Sequence, residues 1–160
     1  MTHRLPALLL TALAFPAAAE QTGNPLSYEH YLDSDEPIKC LYGYYAGKTG
    51  DHQAAIALFE DCIRRWNSVY AMIGLARIYE TGSGVERDLE YATALMKRGA
   101  ETDDAAGYSA LAKYHYGMAL IEGRGTRQDR AAGLEWLRRA AAGGVDAARD
   151  FLIREGLPIP

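Results

Sequence analysis

Cysteine and histidine are scarce in this chain of 160 residues, which holds two of the first and four of the second. Two cysteines cannot build a zinc ribbon or a disulfide-dense scaffold. His3, His30, His52 and His115 include no pair one helical turn apart with a glutamate between, as a hydrolytic zinc site requires. No Ser-x-x-Lys or Gly-x-Ser-x-Gly frames any serine, and no glycine-rich phosphate loop with a Lys-Ser/Thr ending occurs. Basic charge is not in excess either: 17 Lys+Arg stand against 21 Asp+Glu, a net charge of -4. A nucleic-acid binder normally shows a basic face that displaces phosphate counterions, so that partner class is excluded. Past the N-terminus no apolar run approaches a transmembrane length. These absences predict a protein that is not an enzyme and needs no cofactor or metal.

What remains is ordinary globular material, 49% apolar and 24% charged, enough for one folded domain. It is preceded by an address. Arg4 gives a positive start, Leu5 to Phe15 form a short apolar run, and Ala17-Ala18-Ala19 supply the small residues a signal peptidase needs. The run is too short to span about 30 Å of hydrocarbon. Residues 1–19 are therefore expected to be a signal peptide, with Glu20 as the first residue after cleavage. Loss of Arg4 leaves 16 basic against 21 acidic residues. The expected location is the periplasm of a Gram-negative bacterium. Residues 20–36, with five acidic residues, two tyrosines and no Lys or Arg, read as an acidic N-terminal arm.

The rest of the chain repeats itself, and a repeat decides the fold before any single helix does. Gly43, Ala76 and Gly117 each follow a large apolar residue: Tyr42, Leu75 and Tyr116. Ala55, Ala92 and Gly133 are each followed four residues on by Phe59, Met96 and Leu137, and seven residues on by Cys62, Gly99 and Ala140. Helical spacing puts these on one stripe, with the small residues where two helix axes approach closely. The first unit has 12 residues from Gly43 to Ala55, and the other two have 16 between equivalent positions. Glycines at 82, 84, 123 and 125 read as helix ends and turns, and Asp88 and Asp129 as the caps of the helices that follow.

The longer units, Leu75-Ala76-x-x-Tyr79-x-x-Gly82-x-Gly84-Val85-x-x-Asp88 and Tyr116-Gly117-x-x-Leu120-x-x-Gly123-x-Gly125-x-x-x-Asp129, resemble Sel-1-like repeats. These are relatives of the tetratricopeptide repeat, which the first unit, with its short Gly47-Lys48-Thr49-Gly50-Asp51 turn, is more similar to. Ala76 and Leu120 stand where the family favours Gly and Tyr. The resemblance implies an all-α, right-handed α-solenoid: three antiparallel helix pairs over 37–152, a capping helix at Asp146–Leu152, and a tail over 153–160. It also implies partner docking on the concave side, at Tyr44, Tyr70, Arg77, Glu80, Tyr114 and Met118. Relatives in toxin immunity suggest an alternative role, neutralising a toxin delivered to the periplasm. A β-lactam hydrolase, suggested by other relatives, lacks its machinery in this sequence.

Cys40 and Cys62 are expected to form a disulfide, given an oxidising compartment and an even count. They fall on the two helices of the first hairpin. If Gly43 faces Ala55, however, the residue opposite Cys62 is near Glu36, which leaves an axial offset of roughly 6 Å. The alternative is that Cys62 only fills the small-residue position held by Gly99 and Ala140 in the other units.

Overall fold

The computed structural model describes residues 28–159, so the expected signal peptide and the first part of the acidic arm lie outside the described residues. A short 3-10 turn at Tyr28–Tyr31 precedes α1 (Lys39–Thr49), α2 (His52–Trp66), α3 (Val69–Thr81), α4 (Leu89–Glu101), α5 (Tyr108–Glu122), α6 (Arg130–Ala142) and α7 (Asp146–Arg154). No strand occurs among the described residues. The helices form hairpins α1–α2, α3–α4 and α5–α6, stacked through α2–α3 and α4–α5 contacts, with α7 closing the end against α6. The first helices also touch, α1 against α3 and α3 against α5. This is a helical solenoid, in which each hairpin buries its apolar face on its neighbour.

Short polar residues start α2, α3, α4 and α6, and left-handed ones stop α1, α2, α3 and α5. Asp51, Ser68, Asp88 and Asp129 accept hydrogen bonds from the N–H groups of Ala54, Ala71, Tyr91 and Ala132. Gly82 and Gly123 end α3 and α5 in the left-handed region. The loops they open then dock on the preceding hairpin. Gly84 and Gly125 have φ of +74° and +65°, and a Cβ would stand 2.5 Å from His52 Cβ or 1.9 Å from the Leu89 carbonyl oxygen. Equivalent hydrogen bonds tie both loops down: Gln53 Nε2 donates to the Gly84 carbonyl at 2.9 Å, and Thr93 Oγ1 to that of Arg124 at 2.8 Å.

The first hairpin has a different register from the one the small residues suggest. Ala55 Cβ lies 3.7 Å from where a Gly47 Cβ would stand, and the Phe59 ring fills the space in front of Gly43. Both contacts set α1 about one turn further along α2 than a Gly43–Ala55 pairing does. The same shift brings Cys40 opposite Cys62, and a disulfide joins them with Cα atoms 5.9 Å apart. The axial mismatch is thus absent.

Beside this bridge, the end of the acidic arm is fastened to the hairpin. Lys39, only 1% exposed, pairs with Asp61 at 2.5 Å and donates to the carbonyls of Leu32 at 3.1 Å and Ser34 at 2.9 Å. A buried ammonium is costly unless it is paired and hydrogen-bonded, and here the arm supplies two of the acceptors. Arg65 joins Asp35 to Asp61, Tyr31 stacks on Tyr42 with centroids 3.7 Å apart, and Tyr28 Oη donates to Asp51 at 2.7 Å. Burial pushes the Asp61 carboxyl up, but Lys39 and Arg65 outweigh it and hold the group below the usual carboxylate range. The Ala54 N–H, followed by the Tyr28 hydroxyl, holds Asp51 low as well.

At the other end α7 runs two residues past the expected Leu152, so the tail starts at Glu155. The reason is the position of its stop. The left-handed glycine is Gly156, with φ +67°, and Leu157 N–H closes the end on the Leu152 carbonyl at 2.9 Å.

Replacing both cysteines by serine is expected to lower the free energy of unfolding by about 3 kcal/mol, the scale for a loop of this size. Urea melts of the oxidised protein and the variant measure it. The two low-lying carboxylates contribute stability that is fully present above their ordinary value of 3.8 and is lost as pH falls through their lowered folded values. Thermal melts down the acid limb should show that loss, and Asp61→Asn should flatten it.

Candidate partner-binding groove

A groove of about 370 Å³ runs across the first helices α1, α3 and α5. It exists because two helices lack side chains where they meet a ring. Phe59, from α2 and 3% exposed, lies between Gly43 of α1 and Gly74 of α3, and a Cβ on either glycine would stand 2.5 Å from the ring. A glycine inside a helix weakens it, so two of them facing one ring mark a close approach rather than a flexible joint. The volume falls in the range of about 300–1,000 Å³ in which ligand pockets occur.

The walls follow from helix position. Tyr70 and Tyr108 open α3 and α5 and form one end, their rings edge to face at 5.2 Å, with Phe59 meeting Tyr70 at 6.3 Å. Ile73 and Leu111 make the apolar middle. Lys48 near the end of α1, His52 at the start of α2, Arg77 and Thr81 in the last part of α3, and Ser83 in the loop after it make the polar end. Tyr44 stands on the rim, 48% exposed, with Lys48 Nζ 5.3 Å from its ring centre. Burial, then the neighbouring Tyr108 and Tyr44 hydroxyls, push the Tyr70 phenol up, so it remains a hydrogen-bond donor at neutral pH.

Of the six side chains expected on the concave side, the fold brings Tyr44, Tyr70 and Arg77 into this groove. Glu80 is elsewhere, ion-paired with Arg124 of the next loop. Tyr114 and Met118 pack against the cluster of Leu137, Ala140, Ala148 and Leu152, because the α6–α7 end covers that part of α5. Phe59, Tyr108 and His52 line the groove without having been expected there. Gly43 and Gly74 carried the available signal for Phe59, as helix-interior glycines with no turn to make. Nothing in the repeat pattern marks Tyr108, which sits one turn before Leu111, the counterpart of Tyr70.

His115 packs beside α4. Burial and the charge of Arg77 hold its imidazole below the ordinary 6.5, so it is neutral at pH 7. Among the described residues no group of three His, Cys, Asp or Glu is placed to hold a metal ion, and no helix is long and apolar enough to cross a membrane. The groove offers aromatic faces, apolar surface and cations. It is equipped to hold a side chain or peptide segment.

Comparison with known proteins agrees with the helical-repeat fold. The family model described as Sel1 repeat matches residues 69–104 and 110–145, the second and third hairpins. A solved structure described as a Sel1 repeat protein from Oxalobacter formigenes superposes with a TM-score of 0.64 at 25% identity, covering 79% of this chain and 95% of that one. No curated protein matches the sequence.

The two-glycine slot makes opposite predictions for two similar substitutions. Gly74→Ala should destabilise by about 2 kcal/mol, because its Cβ overlaps the Phe59 ring and overpacked cores lose about 1–3 kcal/mol. Gly47→Ala, whose Cβ would make an ordinary 3.7 Å contact with Ala55, should be neutral or stabilising by about 0.5–1 kcal/mol. Denaturant melts of the two variants separate these outcomes.

Proposed function

We propose that this chain, in which two Sel1 repeats are found, is a periplasmic adaptor that docks a segment of another protein in the groove across α1, α3 and α5. Sel1-repeat proteins generally mediate protein–protein interactions. The observation that supports this particular site is the clustering of Tyr44, Tyr70, Tyr108 and Arg77 around one apolar trough. Tyr and Arg combine large contact area with hydrogen bonding and dominate binding energy in protein interfaces. The Thr81 and Ser83 hydroxyls of the lining hydrogen-bond to each other rather than to His52 or Lys48, which favours binding over catalysis.

Two features support the compartment. The Arg4, Leu5–Phe15 and Ala17–Ala19 pattern has the layout of an export signal, and the Cys40–Cys62 bridge belongs to an oxidising environment.

Chemical cross-linking in periplasmic extract, with the tagged protein as bait, tests the reading. Tyr70→Ala should cost the cross-linked partner more than about 1 kcal/mol of binding, a fivefold or greater loss, with helical content unchanged. Undiminished capture by that variant would place the interface outside the groove.

A further inference from the structure

The charge of the groove differs from that of the chain around it. The protein as a whole has 21 acidic against 17 basic residues, yet the groove is lined by Lys48, His52 and Arg77 and by no Asp or Glu. These three side chains gather at one end, where α1 turns into α2 and α3 finishes. Elsewhere most of the cations among the described residues are ion-paired, Arg65, Arg124 and Arg130 with Asp35, Glu80 and Glu155 for example. Arg77 is exposed, and its side chain has no ion pair or hydrogen bond among the described residues. Among the described residues Lys48 has no ion pair or hydrogen bond and lies beside the Tyr44 ring, and His52 Nδ1 is buried with no hydrogen-bond partner.

Resting on the reading that the groove docks a partner, we infer that the partner segment is acidic, with Asp or Glu side chains at the Lys48–Arg77 end and an aromatic or large aliphatic side chain at the Tyr70–Tyr108 end. A basic segment would meet two cations with no counter-ion, and like charges brought together on docking are strongly unfavourable. A neutral segment would leave Arg77 and Lys48 desolvated without a partner. An acidic one satisfies both, and the guanidinium can take a carboxylate with two parallel hydrogen bonds. α1 and α3 finish here, and their C-terminal carbonyls repel an anion, while the N-terminus of α2 is already capped by the Asp51 carboxylate. The attraction therefore comes from the side chains, and binding depends on them individually. The spacing of the two ends sets the order of recognition, with the ring or aliphatic group anchoring in the trough and the acids fixing its direction.

The probe is a phage-displayed library of random peptides panned on the oxidised full-length protein, on Tyr70→Ala, and on Lys48→Glu/Arg77→Glu. Circular dichroism and thermal melts confirm that each variant is folded. Peptides selected on the unaltered protein should be enriched in Asp and Glu beside an aromatic or large aliphatic residue. The charge-reversed protein should lose that enrichment or select Lys and Arg instead. For a selected acidic peptide, fluorescence polarisation should show about a tenfold loss with Arg77→Glu, retention with Arg77→Lys, and weakening as salt rises. Neutral or basic selected peptides that still require Tyr70 would overturn the acidic assignment and leave the groove standing. Selected peptides indifferent to Tyr70, Lys48 and Arg77, or no selection above background, would overturn both.

Discussion

The position of one ring governs the first half of this molecule. Phe59 reaches from α2 into a slot between α1 and α3 that is open only because Gly43 and Gly74 carry no side chain. That insertion fixes the register of the first hairpin and the approach of the second, and its ring forms the base of the trough between them. Protein interiors are packed too densely to absorb even one methyl group without a shift, so a single contact of this kind can dictate a helix–helix register. The disulfide follows from the register, since Cys40 meets Cys62 only when Phe59 lies over Gly43.

The electrostatic attachment of the arm depends on the same hairpin. Lys39 and Asp61 precede Cys40 and Cys62 by one residue each, so the helix alignment that closes the bridge also closes the ion pair. With the Lys39 ammonium held there, the Leu32 and Ser34 carbonyls have a charged donor to turn toward. The acidic segment that reads in the sequence as an N-terminal arm thereby becomes, from Tyr28 onward, part of the wall of the first unit.

The repeat architecture was legible because its signals are local. Gly82, Asp88, Gly123 and Asp129 work through their own backbone and the next turn, and chemistry at that range is written in consecutive residues. The register of the first hairpin was not legible in the same way. The Gly43–Ala55 spacing suited the tetratricopeptide pattern, but Gly47 and Phe59 competed for the same faces, and only packing in three dimensions decides between them. For the groove, Tyr44, Tyr70 and Arg77 could be placed by position within a repeat. Glu80 was lost to an ion pair with a loop from the next unit, and Tyr114 and Met118 to a cap at the chain end. Repeat equivalence assumes that each unit has the same neighbours, and the last unit does not.

The stack is closed differently at its two ends. A quasi-one-dimensional protein opens from its termini inward, because a terminal unit has a neighbour on one side only. At the N-terminal end the hairpin is covalently shut by Cys40–Cys62, whereas α7 is held by two fully buried side chains, Ala148 and Leu152. Amide protection is therefore expected to be lower in α7 than in the disulfide-closed hairpin, with the lifting of α7 as the expected sub-global opening among the described helices. Tyr114 and Met118 pack against the cluster to which α7 contributes Ala148 and Leu152, so such an opening would uncover part of their surface and extend the aromatic face of the solenoid by one unit.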